Sequence, residues 1–338
     1  MTSTAIRTLF QRFAGLKVGV IGDFAIDLYF TLQTQTGETS LETGLNVFWG
    51  SKPRAFLGAA GNVVQNLVAL GVSDIQAIGC VGNDLYGREM QHLFQSLGVK
   101  TQYLQVLDNG WDTCVYTKPN QDGKEANRID FGIANKLDEA VFASVINGLE
   151  QALKNLDVLI INQQFANPLL TEARVKLLNE LMPRFPNVRF LVDMRDVGKL
   201  TQRATLKVNT AELAKFLGIE EAPEHPELDW CVQQGNLFRE RSQGPLLITR
   251  GQAGILYLDD QETKLVEGLS LQGELDTVGA GDTVVATWAA CIGAGASPQE
   301  ALTVANLAAG VTVQKLNQTG TANLAEILAL HTTYHSND

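Results

Sequence analysis

Short runs of apolar and β-branched residues alternate with longer helical patterns along most of this chain, and this alternation constrains its fold more than any other feature. Val18–Ile21 and Ile75–Val81 have the composition of buried strands. Asn62–Leu70 and Gly87–Leu97 have helical periodicity, and a glycine follows each of them directly. Such alternation is typical of an α/β fold, in which helices cover the faces of a mainly parallel sheet.

Four further apolar runs predict additional parallel strands in the second half of the chain. They are Val158–Ile161, Phe190–Val192, Leu206–Val208 and Leu246–Ile248. The 338 residues are enough for roughly two average domains, but α/β folds often exceed that length as one unit. We therefore expect a single domain over residues 1–338.

Two segments interrupt this pattern, at about Leu28–Phe56 and Trp111–Phe131. Both alternate polar with apolar residues and carry Gly and Asn at positions suited to turns. Because such alternation is typical of half-exposed antiparallel strands, we predict a small accessory sheet, inserted into the domain as a lid. A pair of long surface loops is the alternative interpretation.

The charge balance argues against a nucleic-acid partner. Lys and Arg number 26 and Asp and Glu 37, which gives a net charge of −11, whereas a polyanion needs a clustered basic surface. The charge-free apolar stretch Thr283–Ala296 is shorter than the roughly 20 residues needed to cross a bilayer. The N-terminus lacks the apolar segment of a secretory signal, and the four cysteines form no CxxC pair. We expect a cytoplasmic protein without a membrane partner.

The strongest candidate site is Asp276–Thr283, a glycine-rich turn that leads into an apolar helical pattern. Gly279, Ala280 and Gly281 allow a ligand to approach the backbone closely, and free amides at a helix N-terminus favour an anion such as phosphate. A carboxylate here, that of Asp282, suits phosphoryl transfer to an alcohol. It would accept the proton of the acceptor hydroxyl while the amides stabilise the transferring group.

Two other interpretations of this turn are simpler. A dinucleotide-binding loop of the GxGxxG type, as in a Rossmann oxidoreductase, needs a third glycine where this chain has Val284. Asp282 could also be only a helix cap, because aspartate is a favoured N-cap residue.

Two acidic residues, Asp23 and Asp27, follow the first predicted strand, at a sheet edge that commonly binds ligands. Carboxylates and asparagine suit sugars, because they form paired hydrogen bonds with vicinal hydroxyls. A turn residue and a solvated carboxylate are the alternatives for the two aspartates. A helix N-cap is the alternative for Asn62.

Asn209 and Glu212 follow the predicted strand Leu206–Val208 at positions i and i+3 of a helix start, so their side chains share a face. A carboxylate there could hold Mg²⁺ through water, since Mg²⁺ prefers oxygen ligands and keeps several waters. A capping box between the two residues is the alternative. Thr249–Gly254, after another strand, would by itself be a hairpin loop.

The glycine-rich turn, with a strand before it and a buried helix after it, resembles the C-terminal signature of the ribokinase-like, or PfkB, carbohydrate kinase family. The resemblance extends over residues 16–325. Gly22, Asp23 and Asp27 resemble the family's first-strand segment, and Gly58–Asn62 resembles its N-terminal glycine-rich signature. Leu57 stands where the family usually has the first of two glycines.

This resemblance implies a ribokinase-like α/β fold, with a central mainly parallel sheet, flanking helices and a small β-sheet lid. It implies an ATP-dependent sugar kinase that uses Mg²⁺, with Asp282 as general base and the amides of Gly279, Ala280 and Gly281 as anion hole. It assigns Glu212 to the metal, through water. The positions assigned to the acceptor are Asp23, Asp27, Gly58 and Asn62, and those on the nucleotide side are Asn209, Thr249, Gly251, Gly254 and Asn306.

The second lid segment resembles the heptose-phosphate kinase branch of the family, through Thr113–Lys118 and Asn127–Asp130. Lys118 and Arg128 would then bind a phosphate that the acceptor already carries, because Lys and Arg are the usual phosphate partners. Solvated charges on an exposed ribbon are the alternative. A heptose phosphate, a hexose phosphate and a plain sugar all remain open as acceptors.

The lid also predicts the assembly state. Its alternation, with Val47 beside Trp49, leaves an apolar face that a monomer would expose, so we expect a homodimer through the lid. The alternative to an active kinase is a catalytically inactive sugar- or nucleotide-binding protein on the same fold, because fold does not determine function.

Overall fold

Two β-sheets carry the architecture of the chain over residues 1–316 and 318–335, which the computed structural model describes. In chain order the strands are β1 (Lys17–Gly22), β2 (Phe24–Gln33), β3 (Trp49–Gly50), β4 (Arg54–Ala59), β5 (Asp74–Gly82), β6 (Lys100–Leu107), β7 (Cys114–Gln121), β8 (Lys124–Glu125), β9 (Ile129–Phe131), β10 (Val158–Gln163), β11 (Arg189–Met194), β12 (Thr205–Asn209), β13 (Leu246–Thr249), β14 (Ile255–Leu258) and β15 (Thr263–Val266). The α-helices are α1 (Ser3–Phe13), α2 (Ala60–Ala69), α3 (Leu85–Ser96), α4 (Glu139–Leu153), α5 (Glu172–Leu181), α6 (Thr210–Leu217), α7 (Leu228–Ser242), α8 (Ala280–Gly293), α9 (Pro298–Thr312) and α10 (Leu324–His335).

Nine strands form the central sheet, in the order β15-β14-β13-β12-β11-β10-β1-β5-β6. Neighbours from β13 to β6 are parallel, while β14 and β15 add an antiparallel edge. Strand β10 is buried along its whole length and β1 from its second residue, as continuous apolar runs require when both faces are covered. The predicted mainly parallel α/β sheet is confirmed, and the ends of the predicted strands and helices shift by at most two residues.

The second sheet contains six strands, β2, β3, β4, β7, β8 and β9. Both segments predicted as a lid contribute to it, so an accessory sheet is confirmed and the loop interpretation is wrong. The expectation of antiparallel pairing is only partly met, because β2 pairs antiparallel with β4 but parallel with β7. The chain passes through α2, β5, α3 and β6 between β2 and β7, a crossover that allows both strands to run in the same direction.

Helices cover both faces of the central sheet. One apolar core contains residues of α1, α2, α3, α8, α9 and α10, and the other contains residues of α4, α5, α6 and α7. Helix α8 is buried from Thr283 to Cys291, so the turn before it leads directly into the core. In the part of the chain that the structure describes, no helix combines the length and apolarity needed to cross a bilayer.

At the end of β1, Gly22 permits close contact with β10. Its φ is +158°, and a Cβ at this position would overlap the carbonyl oxygen of Asn162. Gly22 and Asn162 are register partners, so the two central strands cannot separate here without breaking their ladder. This contact sets the backbone from which Asp23 continues.

Replacing Gly22 by Ala should therefore destabilise the protein by roughly 2–4 kcal/mol, because backbone strain and overpacking act together. Urea unfolding would measure this loss. Gly15→Ala is the matched control, because its Cβ would lie at an ordinary 3.7 Å from the Arg12 carbonyl oxygen, with an expected change within about 0.5 kcal/mol. Equal stability of both variants would contradict the packing constraint.

Candidate active site

The glycine-rich turn before α8 is shaped by two close approaches. Gly279 has a φ of +78°, and a Cβ there would lie 2.8 Å from Nδ2 of Asn62. A Cβ on Gly281 would lie 3.1 Å from Nζ of Lys207. The amide of Ala280 donates to the Thr277 carbonyl at 3.2 Å, so one of the three amides predicted to be free is used within the turn. The left-handed φ favours glycine at position 279, and both glycines leave space for a polar side chain beside the backbone.

Asp282 lies partly buried in the first turn of α8 and accepts a hydrogen bond from Nδ2 of Asn62 at 2.7 Å. Burial and the negative charge of Asp193 raise the pKa of Asp282 to about 7, against the opposing effects of Asn62 and Lys207. The sequence alone predicts an ionised carboxylate from the helix N-terminus, and burial outweighs that effect. A pKa near neutrality suits a group that accepts and releases a proton.

Asn62 is held in place by its own neighbours. Its Oδ1 accepts hydrogen bonds from Gln65 at 2.9 Å and from Asn66 at 3.0 Å, and Asn66 in turn accepts one from Thr283 at 3.0 Å. The N-cap alternative for Asn62 is wrong, because α2 begins two residues earlier. The side chain predicted to bind sugar contacts Asp282 and holds that carboxylate in place.

Asp27 is buried and belongs to an ion pair. Its Oδ2 accepts hydrogen bonds from Lys118 Nζ at 3.0 Å and from Thr319 at 2.8 Å, and Lys118 also donates to the Tyr29 hydroxyl at 3.2 Å. A Cβ on Gly58 would lie 2.8 Å from Oδ1 of Asp27, so this glycine makes room for the carboxylate. Burial opposes the charge of Lys118, but Asp27 and Tyr29 together outweigh it, and the pKa of Lys118 is raised.

The alternative prediction for Lys118, a solvated charge, is wrong. The side chain is 8% exposed, so it is not a solvated charge on a ribbon, and its ammonium is paired with Asp27. Arg128 is exposed, as the alternative interpretation of solvated charges on a ribbon predicted. It pairs with Asp130, and its Cζ lies 4.8 Å from the centre of the Tyr116 ring.

The carboxylate of Asp23, a predicted sugar ligand, is bonded to the protein backbone in this structure. The residue is fully buried, and its carboxylate accepts three backbone hydrogen bonds, from Gln164 and Phe165 at 2.9 Å and from Leu169 at 2.7 Å. Burial raises the pKa of Asp23 to about 6. These three hydrogen bonds anchor the loop that follows β10.

Lys207 is a functional candidate that the sequence interpretation missed. It is buried in β12, with its Nζ 3.2 Å from Oδ1 of Asp193. Burial works against its charge, but Asp193, Glu212 and Asp282 outweigh burial and raise the pKa of Lys207. A lysine inside the apolar run Leu206–Val208 was a usable signal, because lysine is almost never fully buried unless it is paired.

Asn209 and Glu212 form a capping box, as the simpler interpretation predicted. The Asn209 amide donates to Glu212 Oε2 at 2.8 Å, and the Glu212 amide donates to Asn209 Oδ1 at 2.8 Å. This leaves Oε1 of Glu212 as the carboxylate oxygen outside the box. Among residues 1–316 and 318–335, no cluster of three or more His, Cys, Asp or Glu could hold a metal.

A cavity of about 560 Å³ lies on one side of the glycine-rich turn. It is lined by Ala280 and Gly281 of the turn, by Lys207, and by all the positions predicted for the nucleotide side, Asn209, Thr249, Gly251, Gly254 and Asn306. Asn306 also donates to the Glu267 carbonyl at 2.9 Å, a contact that stabilises this wall of the cavity. Thr249–Gly254 connects antiparallel strands β13 and β14, which makes it a hairpin loop that also lines a cavity.

The chain matches the model of the pfkB family of carbohydrate kinases over residues 17–324. It belongs to that family. The interpretation of the turn as a dinucleotide-binding loop is therefore wrong.

The Bifunctional protein HldE of Shewanella denitrificans (strain OS217 / ATCC BAA-1090 / DSM 15013) is 28% identical over 317 residues, which are 93% of this chain and 63% of that relative. The chain thus spans less than two thirds of this relative, and the predicted resemblance to the heptose-phosphate kinase branch is confirmed.

Solved structures support the fold independently. Phosphofructokinase-2 of Escherichia coli in complex with fructose-6-phosphate has a TM-score of 0.74 at 15% identity, covering 95% of this chain and 99% of that one. Ribokinase of Thermotoga maritima has a TM-score of 0.65 at 20% identity, covering 94% and 99%. The ribokinase-like fold class is confirmed.

The buried pair of Asp27 and Lys118 generates a stability prediction. Lys118→Met should cost roughly 3–5 kcal/mol, because it leaves a buried carboxylate without its partner. Asp27→Asn combined with Lys118→Met should be less destabilised than the sum of the two single variants. Urea unfolding of the cycle measures the difference.

The control for this cycle is Arg184→Met, which removes an exposed pair with Glu150. It should change the unfolding free energy by about 1 kcal/mol or less. Additive losses in the buried cycle would show that Asp27 and Lys118 do not interact.

Proposed function

We propose that this protein transfers the γ-phosphoryl group of ATP to a hydroxyl of a sugar or sugar phosphate. The observation that carries the proposal is the position of Asp282. The two residues before it line the 560 Å³ cavity, while its own carboxylate contacts Asn62 on the opposite element. A turn with a cavity for a nucleotide on one side and a proton acceptor on the other has the layout that phosphoryl transfer needs.

The proposed roles follow from these contacts. ATP would occupy the cavity, with its phosphates toward Gly281 and the ammonium of Lys207, which is a suitable counter-charge. Asp282, oriented by Asn62, would take the proton of the acceptor hydroxyl. The hydroxyl oxygen would then bond to the γ-phosphorus, the bond to the bridging oxygen would break, and ADP would leave.

Glu212 fits a Mg²⁺ ion bound through water better than a dedicated metal site. It retains one carboxylate oxygen outside the capping box, and Mg²⁺ is commonly held by one or two carboxylates together with substrate phosphates. Bound there, Mg²⁺ would neutralise charge on the phosphates. No closed set of protein ligands is needed for that role.

The lid would exclude water from the reaction. It contributes Asp27, which the second sheet holds beside the end of β1, and closure of such a sheet would limit hydrolysis of ATP.

Placement in the cytoplasm stays a prediction. It agrees with four free cysteines, all of them buried.

Asp282→Asn should lower kcat by roughly 10²–10⁴-fold, because it keeps the size of the side chain and removes the base. Nucleotide binding should persist. For the wild type, kcat/KM should rise as pH increases through about 7, since Asp282 acts as a base only after it loses its proton. The variant should lack this rise. Steady-state kinetics with a panel of free sugars, nucleosides and sugar phosphates measures both effects.

The matched control is Asp229→Asn, which makes the same change at an exposed aspartate in the first turn of α7. Its kcat should equal that of the wild type. If Asp282→Asn kept more than about a tenth of wild-type kcat, a loss of only ~1.4 kcal/mol in barrier, Asp282 would be a helix cap and not the base. Absence of ATP consumption by the wild type with every acceptor would favour the inactive binding protein.

We also propose that the lid pairs two copies of the chain. Large apolar side chains are exposed along it, namely Leu41, Leu45, Phe48, Trp49, Ile129 and Phe131, and contiguous apolar surface on a sheet favours association. Sedimentation at micromolar concentration should therefore give a dimer. Ile129→Glu should shift it toward monomer, whereas Leu237→Glu on the exposed part of α7 should not. A fully active wild-type monomer would contradict this proposal.

A further inference from the structure

The amide group of Asn62 supports Asp282 only in one of its two orientations. Its Nδ2 donates to Oδ2 of Asp282 at 2.7 Å, whereas a rotation by half a turn would bring Oδ1 against the carboxylate. Two neighbours on α2 oppose that rotation, because Gln65 and Asn66 both donate to Oδ1 of Asn62, at 2.9 and 3.0 Å. The amide is thus held from the side opposite Asp282.

The orientation of Asn66 is determined in turn by the backbone of α2. Its Nδ2 also donates to the carbonyl oxygen of Asn62 at 2.9 Å, one helical turn earlier. Because a carbonyl oxygen only accepts, the amide nitrogen of Asn66 must lie on this side. Oδ1 of Asn66 then faces the hydroxyl of Thr283 at 3.0 Å, and this hydroxyl has to donate.

Thr312, the last residue of α9, completes the network. Its hydroxyl lies 3.0 Å from that of Thr283. The single proton of Thr283 is shared between Asn66 and the Gly279 carbonyl at 3.1 Å, so Thr312 is the donor in this contact. Asn62, Asn66, Thr283 and Thr312 are all buried, and a buried polar group left unpaired is costly. The hydrogen bonds therefore run in one direction, from α9 through α8 and α2 to Asp282.

We propose that Gln65, Asn66, Thr283 and Thr312 are positioning residues for the general base, and that they lock the Asn62 amide with its N–H toward Asp282. The inference rests on the proposed kinase function and extends it to side chains that act through Asn62. A hydrogen bond donated to a carboxylate favours its ionised form. The locked amide thus favours the form of Asp282 that accepts a proton.

The charged groups around Asp282 make this hydrogen bond important. Burial and the carboxylates of Asp193 on β11 and Asp27 on β2 raise the pKa of Asp282. The hydrogen bond from Asn62 and the charge of Lys207 on β12 act in the opposite direction, and the pKa is about 7. If the Asn62 amide lost its fixed orientation, this pKa would rise further and less of the base would be ionised at neutral pH.

The test is a ¹³C NMR titration of the aspartate carboxyl groups in the full chain, with Asp282→Asn to assign the resonance. Gln65→Met combined with Asn66→Leu removes both side-chain donors to Asn62 Oδ1 and nearly keeps the side-chain volumes. The pKa of Asp282 should rise by about one pH unit, a tenfold change in the ionisation constant. For every acceptor of the panel that the wild type phosphorylates, kcat/KM at pH 7 should fall roughly fivefold, the ratio of the ionised fractions.

A mutant cycle with Asn62→Ala tests whether the network acts through Asn62. This variant removes the amide and should raise the pKa of Asp282 at least as much as the double variant. Adding Gln65→Met and Asn66→Leu to it should cause no further rise, since the group on which they act is gone. An additive rise would overturn the proposal.

The matched control is Asn179→Leu on α5, which lies on the opposite face of the central sheet from α2 and α8. Asn179 donates to the Leu200 carbonyl at 2.7 Å and accepts from the Gln202 amide at 3.1 Å. Its loss should lower stability in urea but leave the pKa of Asp282 unchanged. An equal rise in this control would overturn the proposal, because the pKa would then report only a loss of stability.

An unchanged pKa of Asp282 in the double variant would also overturn the proposal. If that variant does not fold, Gln65→Met alone decides, because this position is only half-buried. It should give a smaller rise, and no rise would contradict the positioning role. The titration needs no substrate, so it separates this proposal from the kinase function. If no acceptor is phosphorylated but the pKa still rises in the double variant, the positioning role stands and the kinase proposal fails.

Discussion

Close contact between a glycine backbone and two polar side chains is the constraint on which the site depends. Gly279 leaves space for the Asn62 amide, and Gly281 leaves space for the Lys207 ammonium. Because α8 is buried immediately beyond this turn, the turn cannot move away without disturbing the core. Asp282 is therefore held against Asn62 by the packing of α8 that begins at the next residue.

Buried charges around this turn are arranged in pairs. Lys207 is paired with Asp193 below the turn, and Lys118 is paired with Asp27 at the lid. Such pairs are poor sources of stability, because desolvation offsets much of their attraction. Each pair does, however, hold its two charges in fixed positions. Burial and Asp193 both raise the pKa of Asp282, so the carboxylate of Asp193 both anchors Lys207 and increases the proton affinity of Asp282.

The two sheets meet through the backbone that leaves β1. Gly22 packs against Asn162, and the next residue, Asp23, ties down the loop after β10 with three hydrogen bonds. That loop carries Phe165, which supports Tyr116 on the lid. A chain of contacts thus links the central sheet to the lid, with the Asp23 carboxylate as its anchor.

The sequence by itself determined the α/β class, the glycine-rich turn and the helix that follows it, because local periodicity and turn chemistry are short-range properties. It also determined that Asn209 and Glu212 would share a helix start. Only the tertiary structure decided which polar groups meet. Asn62 and Asp282 are 220 residues apart in sequence. Nothing local distinguishes a carboxylate that contacts a distant side chain, such as Asp282, from one that accepts hydrogen bonds from backbone amides, such as Asp23. The same holds for the environment of a charge, because only long-range packing decides whether a charged side chain is buried and which group it contacts. The sequence allowed Lys118 to be a surface cation, whereas in the structure it is buried and paired with Asp27.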